Sequence, residues 1–133
     1  MRYRSLAATV FGLILASCSP VAEAPPAAPS EAASLGDVGD CFETNVVSVG
    51  PRLEGVPDSG STITYESGLS QIDYARVPGI DNSQAGDRVR VCLVSVPENC
   101  PPGDDRGRVY TSTNLRTDET WTAPDSQHSC GGA

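Results

Sequence analysis

The chain has 133 residues, with 17 acidic side chains against nine basic ones, a formal charge of −8, and only 5% aromatic residues. Every basic residue is Arg. Such a balance excludes the electrostatics of a nucleic-acid binder and of a protein that docks on anionic lipid; a basic protein partner is compatible with it, and plain solubility is the simpler reading.

Arg2 and Arg4 form a positive start, and Leu6 to Ala16 follows as an apolar run interrupted by Thr9 alone. A hydrocarbon core needs about 20 apolar residues, so this run is expected to be a signal segment and not a transmembrane helix. It ends in Leu15-Ala16-Ser17-Cys18. That tetrad resembles the lipobox of bacterial lipoproteins at all four positions. The resemblance implies a thioether-linked diacylglyceryl group on Cys18, cleavage before it and acylation of the new amino group. Residues 1–17 are then a discarded signal peptide. Three acyl chains hold far more firmly than the marginal binding of one. Ser19, where Asp would direct inner-membrane retention in such lipoproteins, implies the outer membrane of a Gram-negative cell. The mature chain would carry 7 Arg against 17 acids, a formal charge of −10.

Residues 18–35 comprise the lipidated Cys and a Pro/Ala-rich linker. Pro25, Pro26 and Pro29 exclude a helix and favour extended chain. At about 3.1 Å per residue the segment reaches roughly 50 Å. It is expected to be a spacer; a ligand for a proline-recognition module is the alternative.

Residues 36–133 form one expected domain. Cys41 to Val49 is rich in β-branched residues and predicts a first strand, ended by Gly50-Pro51. Arg52 to Gly60 reads as a loop. Ser61 to Tyr65 predicts a second strand with Ile63 and Tyr65 on one face, and Glu66-Ser67-Gly68 a turn. Leu69 to Val77 predicts a third strand, with Ile72 and Tyr74 on one side. Pro78-Gly79 breaks it, and Ile80 to Gln84 can hold a helical turn capped by Asp81 or Asn82. Arg88 to Val96 is the clearest strand, wet on one face at first and apolar on both from Val91, as if entering the middle of a sheet or barrel. Arg108 to Arg116 and Thr120 to Ala123 complete six. Short strands at near-even spacing predict an all-β fold, either a small sandwich or an OB- or SH3-like barrel of five to six strands.

So small a core is marginal by itself. Cys41, Cys92, Cys100 and Cys130 supply what it lacks. Export places them in an oxidising compartment, where an even count reads as two disulfides. Three pairings are possible; Cys41–Cys92 with Cys100–Cys130 is preferred. Zinc would need closely paired ligands, which the spacing lacks, so no metal and no cofactor is expected.

Candidate sites are few. Asp104-Asp105 with Arg106 has carboxylates for Ca²⁺ but too few of them in sequence, and reads as a turn. Asp125, Ser126, His128 and Ser129 contain the residue types of a hydrolase triad, compressed into five positions where triad geometry is hard to build. Glu66 with Asp73 would serve glycoside hydrolysis only if the two faced each other across a cleft. Trp121, Tyr110 and Tyr74 can make a sugar or peptide platform, or be core. Ser67-Gly68 in a hairpin turn is similar to the Ser-Gly loop of C-type lysozyme inhibitors, which are small acidic β-barrel lipoproteins, although Leu69-Ser70-Gln71 does not continue that pattern.

The chain therefore reads as a non-enzymatic, membrane-anchored lipoprotein of the cell envelope with a small binding or structural domain. The alternatives are an inhibitor of a basic periplasmic or host enzyme, which requires an acidic concave patch near 66–70, and a hydrolase using the His128 region.

Overall fold

The computed structural model describes residues 36–132; the signal segment, Cys18 and the 18–35 linker lie outside them. Six strands form one antiparallel sheet: β1 (Cys41–Leu53), β2 (Val56–Tyr65), β3 (Ser70–Asp73), β4 (Arg88–Ser95), β5 (Val109–Asn114) and β6 (Thr120–Pro124), with one short helix, α1 (Pro78–Asp81). The spatial order is β3-β2-β1-β4-β5-β6. Two three-stranded meanders thus meet at the β1–β4 pair, where Cys41 stands directly opposite Cys92.

Alternation with period two selects the inner face. Val46 of β1, Ile63 and Tyr65 of β2, Val89, Val91 and Leu93 of β4, Tyr110 of β5, and Trp121 and Ala123 of β6 are all buried. Ile80 of α1 joins them, fully buried. The outer face is largely polar, with Val47 and Val94 exposed on it. Thr111 pairs with Thr122 at 2.7 Å and Thr113 with Thr120 at 2.9 Å. Arg88 reaches Glu43 across the β1–β4 pair.

The sheet is open but rolled, so that edge strands β3 and β6 approach each other. No backbone ladder joins them; Gln71 does. Its side chain is fully buried. Its Oε1 accepts from the Tyr65 hydroxyl at 2.7 Å, the Ser112 hydroxyl at 2.6 Å and the Trp121 indole N–H at 3.0 Å. Its Nε2 donates to the carbonyls of Tyr110 at 2.8 Å and Ala123 at 3.0 Å. One amide on β3 thereby engages β2, β5 and β6. Burial pushes the Tyr65 hydroxyl pKa far above its ordinary value.

Both disulfides match the preferred pairing, Cys41–Cys92 and Cys100–Cys130. They span 51 and 30 residues, separations at which loop-closure entropy predicts about 3–4 kcal/mol each. The second ties the loop after β4 to the C-terminal tail, where the Cys130 N–H also donates to the Arg106 carbonyl at 2.8 Å.

Several boundaries differ from expectation. β1 does not end at Gly50-Pro51 but continues to Leu53, and the expected 52–60 loop is mostly β2. Beyond Asn45 the ladder from β1 to β4 gives way to the ladder from β1 to β2. Pro51 therefore sits where one flank of the strand is free, and its missing donor is tolerated. Gly60 lies inside β2 at φ +113°; a Cβ there would come within 2.0 Å of the Asp73 carbonyl oxygen, so glycine permits the close approach. The third strand is only Ser70–Asp73, and its buried residue is Gln71, not Ile72 or Tyr74. Pro78 starts the helix at its first position instead of preventing it, the position where the absent N–H costs nothing. Asp81 lies within that helix and Asn82 closes it. β4 occupies the sheet centre as expected, yet Val94 is exposed, so only one of its faces is dry.

Replacing Gln71 by Leu would leave three donors in the core without their shared acceptor. At about 1–3 kcal/mol per orphaned buried group, with partial rescue by relaxation, Gln71→Leu should lower stability by about 4 kcal/mol. Urea unfolding followed by Trp121 fluorescence measures this; a loss below about 1 kcal/mol would contradict the seam assigned to Gln71.

Candidate functional site

The β1–β2 hairpin is longer than the strand beside it, and its distal half overhangs the core. Val49 is registered with Ile63 and Pro51 with Ser61, both inward-facing partners, so the overhang carries Val49 and Pro51 on its inner side. The tip turns at Glu54-Gly55, with Gly55 at φ +76°. α1 and the segment leading into it lie beneath. Between them is a cleft of about 370 Å³ lined by Val49, Gly50, Pro51, Gly55, Pro57, Arg76 and Asp81.

A small polar network holds the cleft open. The Ser61 hydroxyl, fully buried, donates to Asp81 Oδ1 at 2.7 Å and accepts from the Val77 N–H at 3.0 Å. It thus fixes the start of α1 against β2. Arg76 donates through Nε to Asp81 Oδ2 at 2.9 Å and through Nη1 to the Pro57 carbonyl at 2.8 Å. These bonds set the spacing between hairpin and helix. Half of the Arg76 side chain is exposed, against 22% for Asp81. The walls are apolar, and the charged floor is close to neutral because the two charges offset.

A second hollow, of about 340 Å³, is lined by Gly86, Asp87, Arg88, Leu115 and Arg116. Asp87 and Arg116 are committed to each other, and Arg88 to Glu43 outside it. Asp87 accepts from Arg116 Nε at 2.6 Å and Nη2 at 2.8 Å, from Asn114 Nδ2 at 2.9 Å and from the Gln84 N–H at 2.9 Å. Asn114 also donates to Ser83 at 2.8 Å. This cluster locks the 82–87 connection to the β5–β6 turn.

The residues singled out in the sequence do not converge. Asp125 accepts from the Gly107 N–H at 2.8 Å, and the Ser126 hydroxyl donates to the carbonyl of His128, whose ring is exposed. Burial raises the Asp125 carboxyl pKa, with Asp105 adding to the effect. Asp104 accepts two hydrogen bonds from Arg106 at 2.8 Å and one from the Gly131 N–H at 3.0 Å. Asp105 faces Arg108 at 3.6 Å. Both carboxylates of the candidate Ca²⁺ loop are thus matched to guanidinium groups. Glu66 accepts from Asn45 at 2.8 Å in the β2–β3 turn, whereas Asp73 lies at the far end of β3 and accepts from the Ala75 N–H at 2.7 Å. Trp121 and Tyr110 are core, but Tyr74 is 59% exposed, with Arg52 stacked 4.3 Å over its ring. Neither hollow described above includes a residue of 66–70.

Sequence reasoning did not find Arg76 and Asp81 as a pair. Five positions apart, they match no helical or strand periodicity, and Asp81 reads as a cap. No known protein family, curated protein or solved structure matches the chain, so the geometry alone points to a site.

The Arg116 guanidinium, more than any other partner, holds the Asp87 carboxyl well below the ordinary carboxylate range; burial opposes it, and Asn114 and the Gln84 N–H reinforce it. In the unfolded chain an Asp takes up its proton near pH 4. As pH falls below about 4 the unfolded state therefore binds more protons than the folded one, and stability present above that pH is lost. Asp87→Asn should cost about 2 kcal/mol at neutral pH and make the acid limb of the stability profile shallower. Urea midpoints between about pH 2 and 6 test it; an unchanged acid limb would exclude Asp87 as a source of the pH dependence.

Proposed function

We propose that this protein is a lipid-anchored lipoprotein of the bacterial envelope, with an outer-membrane address, whose β domain is a non-catalytic binding module. Binding takes place in the cleft between the β1–β2 hairpin and α1. That cleft is the observation that carries the binding role: its apolar walls are uncovered, while its polar floor is held in place by Ser61, Asp81 and the Pro57 carbonyl. Concave, mostly apolar sites with a few fixed polar groups are the usual form of small-ligand sites, and this one sits at the small end of their range of about 300–1,000 Å³.

The anchor rests on Leu15-Ala16-Ser17-Cys18. Two disulfides in a domain of this size suit an oxidising compartment, as expected of an exported chain. The five cysteines divide accordingly, one for lipid and four for the two bridges. The commitment of Asp125 and Ser126 to backbone groups supports a binding role over hydrolysis.

Cys18→Ser should abolish incorporation of labelled palmitate and move the protein from the membrane pellet to the soluble fraction. Continued sedimentation with membranes, or label retained on the variant, would overturn the anchor.

A further inference from the structure

We infer that the cleft selects a small free carboxylic acid with an apolar body, and that Arg76 is the group that binds its carboxylate. The inference rests on the binding role proposed above and names its ligand class.

The donor and acceptor balance of the cleft is one-sided. Each Asp81 oxygen already has a partner, Oδ1 the Ser61 hydroxyl and Oδ2 the Arg76 Nε–H. The Pro57 carbonyl accepts from Arg76 Nη1. On Arg76 the position is reversed. A guanidinium carries five N–H donors. Two are used, and Nη2 has no protein acceptor among the described residues. Half of the side chain is exposed and Arg76 lines the cleft, so those donors are open to a ligand there. A ligand that fits must bring acceptor oxygens.

Charge narrows the class. Asp81 offsets much of the Arg76 charge, and the chain as a whole is acidic. A dianion such as a phosphate monoester would meet repulsion there, whereas a monoanion gains the planar, charge-assisted contact that guanidinium and carboxylate make. The walls define the remainder of the ligand. Val49, Pro51 and Pro57 present aliphatic surface without side-chain polar atoms, so the body attached to the carboxylate is apolar. Arg76 is held before the ligand arrives, so little of its side-chain freedom is lost on binding.

The test uses the full chain bearing Cys18→Ser, oxidised and labelled with ¹⁵N, with phenylbutyrate and its neutral isostere phenylbutyramide as probes. Amide shifts should follow phenylbutyrate with a millimolar affinity and map to residues 49–57 and 76–81. Phenylbutyramide should bind about tenfold more weakly, a difference of about 1.4 kcal/mol. Arg76→Gln should bring the affinities for acid and amide together, and Arg76→Lys should retain part of the preference for the acid. The spectrum itself reports that each variant is folded. Equal affinity for acid and amide would overturn the carboxylate assignment and leave the cleft as a binding site. A folded wild-type chain that shifts with neither probe, or only outside 49–57 and 76–81, would overturn both the assignment and the site.

Discussion

The fold depends on a single buried amide. A six-stranded antiparallel sheet with free edges can remain flat, and a flat sheet would expose the face that carries Val89, Val91, Leu93 and Trp121. Rolling buries that face but brings β3 and β6 together without a ladder between them. Tyr65, Ser112 and Trp121 all direct donors at the resulting seam, and Tyr110 and Ala123 direct carbonyls there. Three donors left without an acceptor in a dry interior would cost a large part of a small domain's stability. Gln71 accepts from all three and adds a second bond to each carbonyl. Its side chain alone combines an acceptor oxygen with a two-proton donor at the reach required; Glu would lack the donors and Leu would lack both.

The cleft follows from how the two meanders share β1. Its first residues pair with β4, and Cys41–Cys92 clamps that junction. Beyond Val46 only β2 accompanies it. The hairpin then projects past the core, with an inner face that no strand covers. α1 supplies a floor. Ile80 completes the core from below, and Gly79 lies so close to Trp121 that a Cβ would come within 2.7 Å of the ring. The helix is thus pressed against β6 while Ser61 and Arg76 tie it to β2. The gap that remains above it is a consequence of unequal strand lengths.

This division explains what could be read in the chain. Alternation of apolar residues reveals the inner face at Ile63 with Tyr65 and at Val89 with Val91, but not at Ile72 with Tyr74. The disulfide framework was legible for a different reason, because export and cysteine count constrain it before any fold is known. Gln71 was not legible. A polar residue in an alternating run reads as solvent-facing, and nothing local shows that donors from β2, β5 and β6 will converge on it. Pro51 and Pro78 misled for the same reason. Each removes a donor, and whether that matters depends on a neighbouring strand, or on a position in a helix, that only the assembled fold defines. The cleft pair Arg76 and Asp81 depends on the hairpin overhang, which follows from the β1–β4 register.

The absence of Lys also gains a structural meaning. Arg52 bridges the Ser59 carbonyl and Gln127, and stacks on Tyr74. Arg116 grips both oxygens of Asp87 and the Asn82 carbonyl. Arg106 grips both oxygens of Asp104, and Arg76 joins Asp81 to the Pro57 carbonyl. Each of these guanidinium groups holds two acceptors in fixed relation, and two of the four reach across more than 25 positions of chain. A planar fork does this with little loss of freedom per bond; an ammonium on a flexible stem does not. In a domain whose loops outnumber its helices, these forks fix the connections that hydrophobic burial leaves loose. Arg76 belongs to the same set, and differs in where its remaining donors face. A residue type recruited throughout the fold for rigidity becomes, at the rim of an apolar cleft, a rigid donor toward solvent. On the binding role proposed above, this one structural device supplies an otherwise unspecialised β domain with its point of chemical recognition.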